Sequence, residues 1–398
     1  MRLPAVVSEW LGIRGLDSAG PLAVMSAALG LCWTLPAAII PIEALRHLGD
    51  AQGVSVLFFA VSIVGVSAAL FIPLVVHHAG RRRVVILGVV ITVLSSASLI
   101  VESPLPLIVG TALRVLGFLC LDVVLEVVIM ERIPRRNLAR FEAVRMFCMG
   151  FGLIIGPWFG VWLSNRVGFW APFALLIGVI VLVGIYVLRS RLSSSLTSSP
   201  TTEHAPNPLL FVRRFYRQPR LRLAWLLSLA RSAWWTMFFI YGPIYCVQSG
   251  LGDESAGAIL SIGSAAILFA PLFGKLGAKI GVRLLLAIGY FTTGIATLFV
   301  AFVADTPWAG VTFLLAGALC AAVIDAVGNA LFLRAVRARE RAEMTAVFTT
   351  YREVAQLGPP GLFAILLSVF PLPAVFAVSG VSMVGMTFFT RYIPSKFR

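Results

Sequence analysis

The stretch LVVHHAGRRRVVIL, residues 74–87, places two histidines and three arginines between two long apolar runs. These runs, 54–76 and 84–101, each have about the 20 residues that an α-helix needs to cross the hydrocarbon core of a bilayer. A basic turn between two such runs is typical of a chain that crosses a membrane and returns. The same alternation extends along the sequence in both directions.

The composition indicates that lipid is the solvent of this chain. Of its 398 residues, 59% are hydrophobic and 12% are charged, whereas soluble domains have about 25% charged residues. The sequence therefore predicts an all-α membrane protein with twelve transmembrane helices. The predicted spans are 20–42, 54–76, 84–101, 105–130, 141–163, 167–188, 223–247, 256–274, 284–303, 308–333, 344–369 and 372–390.

The distribution of the net charge of +15 predicts the orientation of the chain. With the N-terminus in the cytoplasm, 26 of the 32 Lys and Arg residues fall in inner loops and tails, and the outer loops hold only Arg46 and Arg166. This positive-inside bias predicts that both termini are cytoplasmic, in a bacterial inner membrane. The lipid bilayer is thus the expected partner of the basic residues. No nucleic-acid partner is expected.

A segment rich in Ser, Pro and Arg at 189–220 divides the chain, with six spans on either side. We predict that 1–188 and 221–398 are six-helix bundles and that 189–220 is a cytoplasmic linker. Landmark residues recur at offsets of 201 to 203, namely Gly80 and Gly281, Asp122 and Asp325, and Gly156 and Gly358. This recurrence indicates a parallel repeat, so the two bundles should be pseudo-symmetric.

The loops after spans 2 and 8 resemble a motif of the major facilitator superfamily, G-x-L-x-D-R-x-G-R-R/K. The residues that match it are Gly274, Leu276, Gly281 and Arg283 in the second half and Gly80, Arg81 and Arg82 in the first. His77 and Ala278 take the place of the family's aspartate. The resemblance implies the superfamily's fold, in which spans 1, 4, 7 and 10 line a central cavity and spans 3, 6, 9 and 12 face lipid.

The same resemblance implies a set of gating residues. In the family this loop helps to lock one state of the transporter, which implies that role for His77, Gly80, Arg81, Gly281 and Arg283. The pair Gly156–Pro157 resembles the fifth-helix motif of the antiporter branches, which implies a gating role for both residues as well. A neutral His77 would make the latch dependent on pH, whereas the alternative is that His77 and His78 are solvated loop residues.

Nine charged residues lie within the predicted spans. A charge at mid-bilayer costs about 2.5–3.5 kcal/mol and needs a partner or a water-filled cavity. These residues are Arg114, Asp122, Glu126, Glu142, Arg145, Arg231, Asp325, Arg352 and Glu353. None falls on spans 3, 6, 9 or 12, which agrees with the lipid-facing position that the resemblance implies for those spans.

Depth and helical phase predict partners for the acidic residues. Asp122 and Glu126 are one turn apart and share a face of span 4, and Glu126 reaches the depth of Arg145 on span 5. Asp325 is expected to meet Arg352 between spans 10 and 11. The alternative for Glu126–Arg145 is a salt bridge with a purely structural role.

Asp122 lies deeper in its span, about two turns from Arg114, which sits where the family has a fourth-helix arginine. The proton affinity of a carboxylate depends on its solvation and on nearby charges, and both change when a cavity opens to the other side. We therefore expect Asp122, Asp325, Glu126 and Arg114 to couple transport to protons.

Arg231 on span 7 has no evident acidic partner in its own half and shares a face with Trp235 and Phe238. An arginine beside aromatic rings suits a substrate with an anionic or planar group. We expect Arg231, Trp235 and Phe238 to bind substrate, together with Trp33 and Arg352. The alternative is that these rings only pack between helices, and Pro36 and Pro41 should bend span 1 beside Trp33.

The sequence lacks the signatures of an enzyme, with no nucleophile-base arrangement at one depth, no P-loop and no cluster of metal ligands. It predicts a monomeric secondary active transporter without a cofactor, which moves a small molecule by alternating access. Proton-coupled efflux of an amphipathic compound in exchange for protons is the favoured reaction. Proton-coupled symport of an organic anion and a sensor without flux are the alternatives.

Overall fold

The computed structural model describes residues 19–133, 135–189, 208–303, 306–336 and 341–393. The predicted cytoplasmic termini and most of the predicted linker thus lie outside the described residues. Helices fill most of the described chain, and none of its residues lies in a β-strand. The helices are α1 (Ala19–Thr34), α2 (Ile39–Leu48), α3 (Ala51–Ala79), α4 (Arg81–Ile100), α5 (Pro104–Arg132), α6 (Arg135–Arg166), α7 (Ala171–Arg189), α8 (Pro208–Tyr216), α9 (Pro219–Gln248), α10 (Asp253–Ala265), α11 (Ala270–Ile280), α12 (Val282–Phe302), α13 (Pro307–Ala335), α14 (Arg341–Thr349), α15 (Tyr351–Leu367) and α16 (Pro373–Thr390).

Ten helical segments of the described chain are long and apolar enough to cross a membrane. They cover the predicted spans except the fourth and the eleventh, and they make the chain an integral, multi-pass membrane protein. Predicted span 4 corresponds to α5, which carries Arg114, Asp122 and Glu126, and predicted span 11 corresponds to α14 and α15. The count of twelve spans therefore stays a prediction.

Several spans are broken, and a proline lies beside two of the breaks. The first is interrupted between α1 and α2 by a turn at Leu35–Ala38, because Pro36 has no N–H for the helical ladder. A 3₁₀ segment, Ala266–Phe269, separates α10 from α11 just before Pro271. A further break at Thr350 separates α14 from α15. Breaks of this kind let a helix change direction beside a site.

The helices group into two compact units. The first contains the described residues of 19–48 and 63–189, and the second contains 49–62 and the described residues from 208 onward. Helix α3 thus contributes its first part to one unit and its remainder to the other. The prediction that 1–188 and 221–398 form pseudo-symmetric bundles remains a prediction.

In the first unit, glycines bring α6 against the end of α1. A methyl group built on Gly30 would lie 2.9 Å from the Cα atom of Met149, so the two backbones are in direct contact. Methyl groups on Gly156 and Gly160 would overlap the Thr34 side chain and the Leu35 carbonyl oxygen. Small residues at every fourth position allow this close approach in membranes. The Gly-Pro motif therefore packs against the broken first span.

In the second unit, residues 49–62 are held by α9 and α15. Ser55 Oγ and Tyr241 Oη share a buried hydrogen bond of 2.6 Å, and Ser62 Oγ donates to the Gln356 carbonyl oxygen at 2.9 Å. Both serines also donate to a carbonyl one turn earlier in α3. These polar contacts explain why this part of α3 belongs to the second unit.

Gly80 and Gly281 begin α4 and α12 with φ angles of 83° and 92°, and a methyl group on either would meet no atom within 4 Å. Alanine is strained at such angles by about 1–2 kcal/mol whatever the space. We therefore expect Gly80→Ala and Gly281→Ala each to lower the midpoint of thermal unfolding of the purified protein.

Gly274→Ala is the matched control, because Gly274 lies inside α11, also with no atom within 4 Å of an added methyl group and without a positive φ. Alanine there should be neutral or stabilising by about 0.5–1 kcal/mol. Three equal midpoints would contradict the conformational requirement at Gly80 and Gly281.

Candidate functional sites

The first unit contains a charged cluster in which one guanidinium serves several carboxylates. Arg145 on α6 donates from Nε and Nη2 to both oxygens of Glu142 at 2.9 and 2.7 Å. Its Nη1 lies 3.8 Å from Asp122 Oδ1 and 4.0 Å from Glu126 Oε1 on α5. Arg145 is thus the common partner of three acidic side chains on two helices.

The sequence-based prediction for this cluster identified the right helices. Its pair, Glu126 with Arg145, has a longer contact than Asp122 with Arg145. Glu126 is within ion-pair range of Arg145, but its side chain is half exposed and its contact is the longest of the three. Asp122 is better buried and closer to Arg145. Glu142 makes the shortest contact, because it lies one turn before Arg145 on the same helix.

The second unit contains an acidic residue held from two sides. Asp325 on α13 accepts from Arg231 Nε at 3.0 Å through one carboxylate oxygen. Its other oxygen accepts from Trp235 Nε1 at 2.7 Å. Arg231, which is buried, also donates from Nη2 to Tyr351 Oη at 3.1 Å. Asp325 and Tyr351 thus bind the same guanidinium from α13 and α15.

Two expectations about these residues were wrong. Arg231 does have an acidic partner in its own half, and Asp325 pairs with Arg231 and not with Arg352. The reason is the packing of α9 against α13, which brings Arg231 and Trp235, one turn apart, onto the same carboxylate. Arg352 is exposed in the first turn of α15, with its guanidinium 5.9 Å from the Tyr351 ring. Tyr351 was missed because only the break at Thr350 places it beside Arg231.

The aromatic residues of α9 divide between site and core. Trp235 contacts Asp325, whereas Phe238 is fully buried and stacks on Trp234 with ring centroids 5.5 Å apart. Trp234 donates to Thr297 Oγ1 on α12 at 2.8 Å. Phe238 therefore supports Trp235 from behind, at a centroid distance of 5.6 Å.

The remaining predicted residue of the proton set, Arg114, lies against α1. Its Nη1 donates to the Trp33 carbonyl oxygen at 3.1 Å, and its guanidinium lies 4.6 Å from the centroid of the Trp33 ring. Phe118, one turn after Arg114, contacts the same ring at a centroid distance of 4.9 Å. The ion pair of Asp122 within this unit is with Arg145, so Arg114 and Asp122 belong to different contacts.

The predicted gating residues occupy the junctions before α4 and α12. Arg81 is buried and donates from both terminal nitrogens to Glu131 at the end of α5, at 2.6 and 2.5 Å. His77 and His78 are exposed with their rings in edge contact, 5.3 Å apart, and Arg283 is exposed. Among the described residues no group of three His, Cys, Asp or Glu could hold a metal ion.

Comparison with known proteins identifies one family. The sequence profile of the Major Facilitator Superfamily matches residues 22–359 and, in a second match, 250–396. No curated protein matches the sequence.

Solved transporters share the fold at low sequence identity. A POT family transporter in complex with 5-aminolevulinic acid is 13% identical, with a TM-score of 0.74 and 96% of each chain covered. A peptide transporter POT in complex with sulfate is 14% identical, with a TM-score of 0.74 and coverage of 96% of this chain and 95% of that one. The nucleoside transporter NupG is 14% identical, with a TM-score of 0.70 and coverage of 94% and 99%.

Trp235→Phe tests the clamp on Asp325. The substitution keeps a smaller aromatic ring and removes the N–H that binds the carboxylate, and a hydrogen bond to a charged group contributes about 1.5–3 kcal/mol. We expect a clear fall in the thermal midpoint of the purified protein. Trp225→Phe is the control, because Trp225 donates to a neutral, exposed hydroxyl at 3.1 Å and should cost about 0.5 kcal/mol. Equal losses would refute the clamp.

Arg145→Gln tests the shared guanidinium of the first unit. Its loss leaves several carboxylates without their common partner, so we expect the free energy of unfolding to fall by roughly 1–3 kcal/mol. Glu126→Gln should cost less than about 1 kcal/mol, because this half-exposed side chain is 4.0 Å away. Thermal unfolding in detergent would measure both, and a larger loss for Glu126→Gln would contradict the ranking.

Proposed function

The chain belongs to the Major Facilitator Superfamily and is a membrane transporter, not an enzyme, and we propose that it exchanges protons for a small amphipathic compound that it exports. Asp122 carries the proton in this proposal, and Arg145 responds to its charge. The observation that carries the proposal is that Arg145 contacts Asp122, Glu126 and Glu142 across α5 and α6.

A guanidinium shared by competing carboxylates can act as a switch. Asp122 is 3.8 Å from Arg145, whereas Glu142 is 2.7 Å away. When Asp122 takes up a proton, its attraction for Arg145 disappears and the arginine remains held by Glu142. The contact between α5 and α6 is then weakened without leaving a charge unpaired in the membrane. Protonation is thereby linked to the packing of two helices.

Asp325 is the less suitable proton carrier in this arrangement. Both of its oxygens are engaged, by Arg231 at 3.0 Å and by Trp235 at 2.7 Å. Protonation of Asp325 would leave the buried Arg231 without its acidic partner, which costs several kcal/mol when a buried pair is broken. We assign to Asp325 the task of holding α13 against α9.

Two observations support export of an amphipathic compound. The Gly-Pro motif that resembles the antiporter branches packs α6 onto the broken end of α1, where a change in α6 reaches Thr34 and Leu35 directly. Trp33 and Trp235 lie beside charged groups, a mixture that suits a molecule with one apolar and one polar part. The similar solved structures include transporters of peptides and nucleosides, which supports a small substrate.

Symport of an organic anion is the second candidate, favoured by the contact of Arg114 with Trp33. The two reactions differ in the direction of substrate relative to protons. We further propose a monomer in a bacterial inner membrane with both termini cytoplasmic, on the strength of the 26 basic residues in the inner loops and tails.

Asp122→Asn in proteoliposomes tests the proposal. A panel of fluorescent amphipathic compounds would first identify one that the wild-type protein moves against an imposed pH gradient. The amide keeps the size of Asp122 but carries no proton, so we expect gradient-driven flux to fall to the level of empty liposomes. Exchange of substrate for substrate should persist, because it needs no net proton movement.

Asp50→Asn is the matched control, because Asp50 is exposed and accepts from the Gly53 backbone N–H at 2.7 Å, a role that an asparagine oxygen also fills. It should transport like the wild type. Undiminished gradient-driven flux in Asp122→Asn would exclude Asp122 from coupling. Substrate movement in the same direction as protons would favour the symporter.

A further inference from the structure

One arginine in the interior of the described helices has no carboxylate partner. Arg145 is paired with Glu142 and Arg231 with Asp325. Arg114 contacts only the carbonyl oxygen and ring of Trp33. Since Arg352 is exposed at a helix end, Arg114 is the case that requires an explanation.

The position of Arg114 makes the lack of a carboxylate partner energetically unfavourable. It lies ten residues after the start of α5 at Pro104, which at 1.5 Å per residue is about 15 Å along the helix that corresponds to the predicted fourth span. A charge inside a membrane-spanning helix is unfavourable, and a cation–π contact offsets only part of that cost. The contacts with Trp33 therefore do not replace an anion.

The unused edge of the guanidinium has a defined shape. Nη1 is taken by the Trp33 carbonyl oxygen. Nε is buried without an acceptor, and no hydrogen bond from Nη2 is present among the described residues. Nε and Nη2 carry parallel N–H bonds on one side of the guanidinium, the arrangement that binds both oxygens of a carboxylate. The side chain as a whole is partly exposed.

The surroundings add an apolar surface to this edge. The ring of Trp33 lies below the guanidinium, and Phe118 contacts that ring from the same helix as Arg114. An anion bound to Arg114 would thus have aromatic faces beside its apolar part. The pattern matches a molecule that carries a carboxylate next to a ring or a chain.

We propose that the Nε–Nη2 edge of Arg114 binds the carboxylate of the transported compound, so that the substrate is an amphipathic carboxylic acid. This assignment rests on the proposed transport function and specifies its substrate class. Arg114 is then a substrate-binding residue, and the proton is carried elsewhere, by Asp122.

Matched carboxylate and amide probes test the assignment on the purified full-length protein. Phenylacetate and 1-naphthaleneacetate would be compared with phenylacetamide and 1-naphthaleneacetamide by ligand-dependent shifts of the thermal midpoint. We expect the wild type to bind each carboxylate at least tenfold more tightly than its amide. Arg114→Gln should lose this preference while binding the amides unchanged, and Arg114→Lys should retain part of it, because lysine keeps the charge without the fork.

Arg166→Gln is the control, since it removes an exposed positive charge at the end of α6 and should leave the preference intact. Sodium chloride and sodium phosphate at matched ionic strength form a further arm. The assignment is overturned if no carboxylate is preferred over its amide, if the preference survives in Arg114→Gln, or if inorganic anions give the same protection as the aromatic carboxylates.

The same proteins separate this assignment from the proposed coupling. Asp122→Asn should bind the carboxylates as the wild type does while losing gradient-driven flux. A carboxylate preference combined with undiminished flux in Asp122→Asn would support the substrate class and refute the coupling mechanism. Loss of flux in Asp122→Asn without any carboxylate preference would do the reverse.

Discussion

A charged side chain inside a membrane is stable only where another group replaces the water it has lost. In each unit this constraint explains why particular helices are linked by an ion pair. Arg145 connects α6 to α5 through Asp122, and Arg231 connects α9 to α13 through Asp325. Contacts between the apolar faces of these helices are less specific than the ion pairs, because lipid tails can cover the same faces equally well. The ion pairs therefore provide specific links between helices within each unit.

Two breaks in the helices lie beside buried or partly buried arginines. The first span stops at Thr34, directly after Trp33, and the eleventh is interrupted at Thr350, directly before Tyr351. Each break places an aromatic side chain next to an arginine, Arg114 in one unit and Arg231 in the other. Proline explains the first break. The second lies between α14 and α15, whose junction is tied to α9 by the hydrogen bond from Trp225 to Thr350.

The sequence was sufficient for ten of the twelve predicted spans and for the helices that carry charge, because both follow from hydrophobicity and from its interruption. The sequence was insufficient to predict which charged side chains form ion pairs with one another. Arg231 was assigned no acid and Asp325 was assigned Arg352, since helical phase gives the face of a residue but not which neighbouring helix that face meets. The ion pair of Glu142 with Arg145 was not predicted, although both residues lie on one helix and their spacing could have identified it.

The two halves of the chain carry two different sites. Trp33 and Trp235 are 202 residues apart, and Asp122 and Asp325 are 203 apart, so both pairs recur at the offset of the predicted repeat. In the second unit the tryptophan donates to the aspartate, and Arg231 completes the contact. In the first unit Trp33 lies under Arg114, and Asp122 turns to Arg145 on α6. The second half thus satisfies its charges internally, whereas the first keeps a guanidinium without a carboxylate and an aspartate with a shared partner.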